Sequence, residues 1–151
     1  MKKFAFPLNN VLNYKNQVLD SLQNEHAAII QEVHKQEDLI ESIKNQYKDC
    51  CQELKNQQMQ GVTAIQIYTY ENYLDVLTYK IKKEQEVLLL LRKKEEMKRS
   101  QVVEAKKESA SIEKLKEKKV ALYNRELQKE NELLIEEFVA NGRNRRQNQS
   151  I

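Results

Sequence analysis

The chain has 151 residues, 32% charged and 7% aromatic, with no tryptophan and a formal net charge of +3. That is the Glu/Lys/Gln/Leu-rich composition of a long helix or coiled coil, and it argues against a compact globular core because the apolar residues are aliphatic and evenly spread. Residues 1–60 carry seven Lys/Arg against eight Asp/Glu and residues 61–151 nineteen against fifteen, a basic bias too mild to imply nucleic acid by itself.

The opening MKKFAFPLNN has two lysines but lacks the apolar stretch of a signal peptide. No apolar run approaches 18 residues, so the chain is expected to stay in the cytosol. Pro7 suits the first position of a helix, where its missing N–H costs nothing. From Leu8, alternating steps of four and three pass through Leu12, Lys15, Leu19, Leu22, His26, Ile29 and Val33. They continue through Gln36, Ile40, Ile43, Tyr47, Cys50, Leu54 and Gln57 without a slip. A period of 3.5 held over seven heptads predicts a coiled-coil helix from about residue 7 to 60. Lys15, His26 and Gln36 interrupt the seam. For His26 a pH switch or ligand role is weighed against a register-setting polar residue, and the second reading is preferred. Cys50 and Cys51 are adjacent, point about 100° apart on a helix, and are expected as free thiols. His26 and His34 have no clustered partners, so no metal site is expected.

Gly61 breaks the pattern. Continuing the same count beyond it lands on Ala64, Tyr68, Glu71, Asp75, Thr78, Lys82 and Gln85, so the apolar seam is lost, and a new seam appears one residue out of step: Ile67, Tyr70, Leu74, Leu77, Ile81, Glu84, Leu88, Leu91. The local residues spell a helix end followed by a helix start. Gly61 suits the left-handed position after a C-terminus. Thr63 with Gln66 makes a capping box, and Val62 with Ile67 a hydrophobic staple. The expected fold is therefore all-α: two long helices in an antiparallel coiled-coil hairpin, turning near Gly61-Val62. Partners should have numbers summing to about 122, which sets Leu54 near Tyr68–Tyr70, Ile40 near Ile81, Val33 near Leu88 and Leu8 near Leu115.

Helix 2 is expected from about 63 to 140, where Asn141-Gly142 would stop it, followed by a frayed basic tail over 141–151. The whole chain reads as one hairpin domain, with helix 2 overhanging helix 1. Beyond Leu91 the seam weakens through Glu95, Lys98, Val102, Ala105, Ser109 and Ile112. The overhang has its own apolar stripe of Val120, Tyr123, Leu127, Leu134 and Phe138, with nothing in the chain expected to cover it. A frayed or self-associating helix end is the plainer reading of that stripe.

Four of the seven tyrosines, Tyr68, Tyr70, Tyr73 and Tyr79, follow the turn within twelve residues. Tyr70 belongs to the seam. Tyr68, Tyr79 and Leu90 repeat at eleven on an outward line, with Val76 beside it. Outward tyrosines suggest a docking patch, although tyrosine also tolerates exposure. No glycine-rich phosphate loop is present, and two histidines on a rod offer no pocket for catalysis. No enzyme activity, cofactor or small-molecule substrate is expected.

Three stretches together resemble the flagellar FliJ family, coiled-coil proteins of the bacterial flagellar export apparatus. FAFPLNNVLNYK is similar to the family's F-x-F-x-L-x-x-V/L-L-x-x-K opening. GVTAIQIYTYENYLDVLTYKIKKEQ is similar to its glycine turn and Y-x-x-Y/F-x-x-x-L-x-x-x-I pattern. EKLKEKKVALYNRELQKENELLIEEF resembles its C-terminal E-K-L-x-E-K and acidic-acidic-Phe segment. The resemblance implies a stalk similar to the central shaft of rotary ATPases, which inserts into the export ATPase ring and links it to the membrane export gate. It also implies an escort role for export chaperones, and a location at the cytoplasmic face of the membrane at the flagellar base. The family's gate-binding surface near the turn falls on Tyr73 and Leu77, with Tyr68, Tyr70 and Tyr79 nearby. Further along that surface this chain has Lys80 and Glu84, which depart from the family pattern. The family's shaft end falls on Val120, Tyr123, Leu127, Leu134 and Phe138.

Two other functions compete. One is a structural coiled-coil spacer that self-associates through the overhang. The other is a nucleic-acid binder using Lys80–Lys107, where ten Lys/Arg stand against five acids. The interspersed glutamates would repel phosphate, so no nucleic-acid partner is expected.

Overall fold

A computed structural model of the chain describes residues 2–150. It contains two helices, α1 (Asn9–Gln60) and α2 (Ala64–Gln149), and no strand among the described residues. They form the antiparallel coiled-coil hairpin expected from the seams.

Gly61 has φ +98°, the only positive value among the described residues. A β-carbon there would meet no atom within 4 Å, so glycine is required by the backbone angle and not by crowding. Gly61, Val62 and Thr63 make the connection. Thr63 Oγ1 accepts from the Gln66 backbone N–H at 3.3 Å, and Gln66 Oε1 accepts from the Thr63 N–H at 3.2 Å. This reciprocal cap satisfies two donors that the first turn of α2 would otherwise leave open.

The contacts fall into two compact units, residues 20–104 around the turn and residues 1–19 with 105–151. The sequence reading treats the chain as a single hairpin domain.

In the turn unit the two seams meet as counted. Ile29, Val33, Ile40 and Leu88 form a buried cluster with Leu91 packed against it, so the expected proximity of Val33 and Leu88 holds. Leu77 is buried to 1% exposure, and Ile43 and Cys50 are also buried. Gln57, the last residue of the α1 seam, is exposed. Both cysteines are free, and burial raises the Cys50 thiol above its ordinary range.

In the terminal unit Leu12, Ala105 and Ser109 are buried at seam positions. Leu8 and Leu115, expected to face each other, are both partly exposed. Pro7 lies in a turn just before α1, with the Asn9 N–H donating to the Phe6 carbonyl at 3.1 Å.

Two expectations are corrected here. First, α2 does not stop at Asn141-Gly142 but runs on to Gln149, and Gly142 has no positive φ. A helix-interior glycine costs only about 1 kcal/mol relative to alanine. Arg143, Arg145 and Arg146 favour the helix, and Arg146 in the last turn complements its dipole. The tail over 141–151 is thus helical to Gln149, with Ile151 outside the described residues. Second, the start of the overhang stripe is covered from within the chain. Tyr123 donates from its hydroxyl to the Lys2 carbonyl at 2.7 Å, and its ring lies 5.6 Å from that of Phe4 at 58°. Phe6 is buried. Residues 2–6 lie outside any helix, and a non-helical chain can advance by more than the 1.5 Å per residue of a helix, which lets it reach further along α2.

Candidate functional site: two exposed apolar surfaces and a polar ladder

Each polar residue that interrupts the α1 seam is answered by a carboxylate on α2. In the turn unit Gln36 donates to the Glu84 carbonyl at 3.0 Å and also to its carboxylate. His26 Nε2 lies 2.9 Å from Glu95 Oε1. Because a carboxylate oxygen only accepts, Nε2 carries the proton. Arg99 donates to the same oxygen at 2.7 and 3.1 Å. The His26 hydrogen bond, then that from Arg99, holds the Glu95 carboxyl below the usual carboxylate range. In the terminal unit Lys15 pairs with Glu108 at 2.8 Å, which raises the Lys15 ammonium above its ordinary value.

The expected register set His26 against residue 96 and Lys15 against residue 107. The observed partners are one position away, within the tolerance of a count made from the turn. A polar pair inside an apolar seam penalises any slip, because a shifted register would leave each group facing hydrocarbon. His26 is thus a register residue in its observed contacts.

The turn unit also presents the tyrosines. Tyr68, Tyr73 and Tyr79 are exposed, by 65, 49 and 61%. Lys83 Nζ sits 5.4 Å from the centre of the Tyr79 ring. Tyr70 is half-buried in the seam, and its hydroxyl is raised by burial and then by the Glu53 carboxylate. A small apolar cleft is lined by Thr69, Tyr70 and Tyr73. Leu77 is the correction. At 1% exposure it cannot touch a partner while the hairpin is closed, because its seam position turns it towards α1. Lys80 is exposed and Glu84 is held in the seam, so the line from Tyr73 through Leu77 and Lys80 to Glu84 is not one surface.

In the terminal unit the five stripe residues separate. Val120, Tyr123 and Leu127 are half-buried, whereas Leu134 and Phe138 are exposed. With them stand Leu133, Ile135 and Val139, also exposed, which the stripe count passed over although the run LLIEEFVA carries them. Leu127, Leu134, Ile135, Phe138 and Val139 share one face of α2 at 100° per residue. Glu126, Glu132, Glu136 and Glu137 occupy the other. Everything from Gln128 to Ser150 is exposed. Each large apolar side chain left in water forgoes about 1.5–3 kcal/mol of burial, so this ridge stands as an uncovered apolar surface.

Among the described residues no three His, Cys, Asp or Glu side chains are placed to hold a metal ion. No described helix is long and apolar enough to cross a membrane. No curated protein and no solved structure matches the chain. The sequence model described as flagellar FliJ protein matches residues 4–148, a span that takes in the F-x-F opening, the Gly61 turn and the LLIEEF segment alike. The chain therefore belongs to the FliJ family of flagellar proteins, a structural family associated with the flagellar export apparatus.

Proposed function

We propose that this chain is a non-enzymatic, two-ended adaptor of the flagellar protein-export apparatus. Its terminal unit enters the ring of the export ATPase, and its turn unit engages the membrane export gate from the cytoplasmic side. The observation that carries this reading is the pair of exposed apolar surfaces, one in each unit: the tyrosines after the turn, and the Leu134–Val139 ridge on α2. A spacer that only self-associates has no use for the first of these. Tyr68, Tyr73 and Tyr79 are the gate contacts in this reading, with Tyr70 and Leu77 holding the helix that displays them. Leu134 and Phe138 lead the ATPase contacts, while Val120, Tyr123 and Leu127 anchor the N-terminal segment beside them. An escort role for export chaperones is compatible with either surface.

A bridging assay tests the proposal. The chain, immobilised gate cytoplasmic fragment and export ATPase are mixed, and ATPase retained on the gate is measured. The chain should increase retention. Tyr73→Ala should lower gate capture and leave ATPase binding intact, whereas Leu134→Glu with Phe138→Glu should do the reverse. Loss of both interactions from either variant, without loss of helicity, would refute the division of labour.

A further inference from the structure

Within the terminal unit, the face of α2 that holds the residues before α1 continues beyond them. Measured from Val120 at 100° per residue, Tyr123, Leu127, Leu134 and Phe138 fall within a sector of about 60°. Tyr123 and Leu127 are about one turn apart, and Leu134 with Phe138 repeats that pair eleven residues further on. A shift of eleven residues turns the helix by only about 20° and advances it about 16 Å, so the two pairs are successive places on one line. The first place is occupied. Phe4 sets its ring 5.6 Å from that of Tyr123, whose hydroxyl donates to the Lys2 carbonyl. The second is open, with Leu134 at 59% and Phe138 at 82% exposure.

The occupant of the first place shows what the line accepts. Residues 2–6 are non-helical, with Phe4 half-buried, Ala5 exposed and Phe6 buried, so alternate side chains are withdrawn from water. A non-helical segment also brings main-chain N–H and C=O groups that need partners, and the Tyr123 hydroxyl serves one of them. At the second place Asn131 and Asn141 bracket Leu134 and Phe138, within about 20° of the same sector. Their amides both donate and accept, which suits such a main chain. A helix bonds its own main chain internally and would set those amides against its side chains, at the cost of an unpaired polar group.

A second copy of α2 is the one helix that answers the asparagines, because laid antiparallel with Leu134 against Phe138 it matches Asn131 with Asn141. That register, with numbers summing to 272, also sets Gln149 of the copy on Tyr123, a place already taken. It brings Glu137 beside Glu137 of the copy as well, a like-charge contact. We infer that Leu134 and Phe138 hold a non-helical Phe-x-Phe segment of another protein, continuing along α2 the line that residues 2–6 begin. This rests on the ridge being the contact surface of the proposed function and names the kind of segment it holds, without requiring that segment to belong to the export ATPase.

The test uses the isotope-labelled full chain and, as probe, the free peptide KKFAFPL, which is residues 2–8 of this chain. Residues tethered to their site act at an effective concentration of about millimolar order, so the free peptide is expected to bind with a Kd of about 1 mM. Its amide shifts in NMR spectra should fall on residues 130–142. The same peptide with serine in place of both phenylalanines should bind at least about tenfold more weakly. Leu134→Asp with Phe138→Asp in the chain should weaken binding as much, with helicity at 222 nm unchanged because both side chains are exposed. Shifts confined to residues 116–127 would mean that the peptide only exchanges with the chain's own segment, and would overturn the inference. So would no shift at about 5 mM peptide, equal binding of the serine peptide, indifference to the aspartate pair, or a dimer in sedimentation that Phe138→Asp dissolves. No ATPase enters this assay, so its failure and failure of the bridging assay are separate results.

Discussion

The turn unit and the terminal unit pair their helices in the same antiparallel sense, yet they treat apolar surface differently. Around the turn the two seams interlock: Leu77, Ile43 and the Ile29–Val33–Ile40–Leu88 cluster are buried, and Gln36 and His26 meet carboxylates across the interface. Near the termini the α2 seam narrows to Ala105 and Ser109. The non-helical residues before α1 then reach Tyr123, and beyond Leu127 the helix runs on exposed. One unit is built for its own stability and displays tyrosines on its outside. The other ends in a ridge whose burial must come from elsewhere. The buried seam and the exposed apolar ridge occupy different stretches of the same helix, and the stability effects of substitutions should divide along that boundary.

The largest expected effect is at Leu77. Leu77→Ala removes a fully buried side chain and should destabilise the hairpin by about 2–5 kcal/mol, read as a lower urea midpoint of the helical signal. The matching truncation in the other unit, Phe138→Ala, should change stability by under about 0.5 kcal/mol because Phe138 is 82% exposed. If the two cost the same, the contrast between the units fails.

Next is the turn. Gly61→Ala forces a side chain into a positive-φ conformation and should cost about 1–2 kcal/mol, although space for the methyl is free. A neutral substitution would mean that the turn relaxes to another conformation. In the terminal unit, Tyr123→Phe removes the hydroxyl bonded to the Lys2 carbonyl. It should cost about 0.5–1.5 kcal/mol, felt as faster proteolysis before Pro7 and not as a shifted global melt. Unchanged cleavage there would show that the ring contact with Phe4 suffices.

The smallest effect is electrostatic. Glu95 is held below the ordinary carboxylate value of 4.5 by His26 and Arg99, so its contribution to folding is fully present above that value. It is lost as pH falls through the lower value of the folded state. Glu95→Gln should flatten the acid limb of stability against pH and leave its neutral-to-basic shape alone. An unaltered acid limb would assign the acid sensitivity to other carboxylates.

Much of this was legible in the sequence, and the reasons differ by residue. Gly61 announced the turn because few residues adopt its backbone angle, and Thr63 with Gln66 named the cap that follows. The seams could be counted because a 3.5-residue period leaves a residue-by-residue record, and even weak members such as Glu95, Lys98 and Ser109 proved at least half-buried. Phe4 and Phe6 gave no such record, since a non-helical segment of five residues has no period long enough to register against a helix. The end of α2 was misplaced because Gly142 alone is ambiguous: glycine ends a helix only where the chain also turns back. Leu77 was misassigned to a partner surface by family resemblance, although its seam position already placed it inside.

The most direct test of the central claim is truncation after Lys129, beyond the Tyr123 anchor and ahead of the ridge. The full chain and the truncated one are compared for thermal melting and for stimulation of the export ATPase. The expected result is a melt within about 0.5 kcal/mol of the full chain together with loss of stimulation. Stimulation that survives the cut would contradict the assignment of the ridge to the ATPase ring.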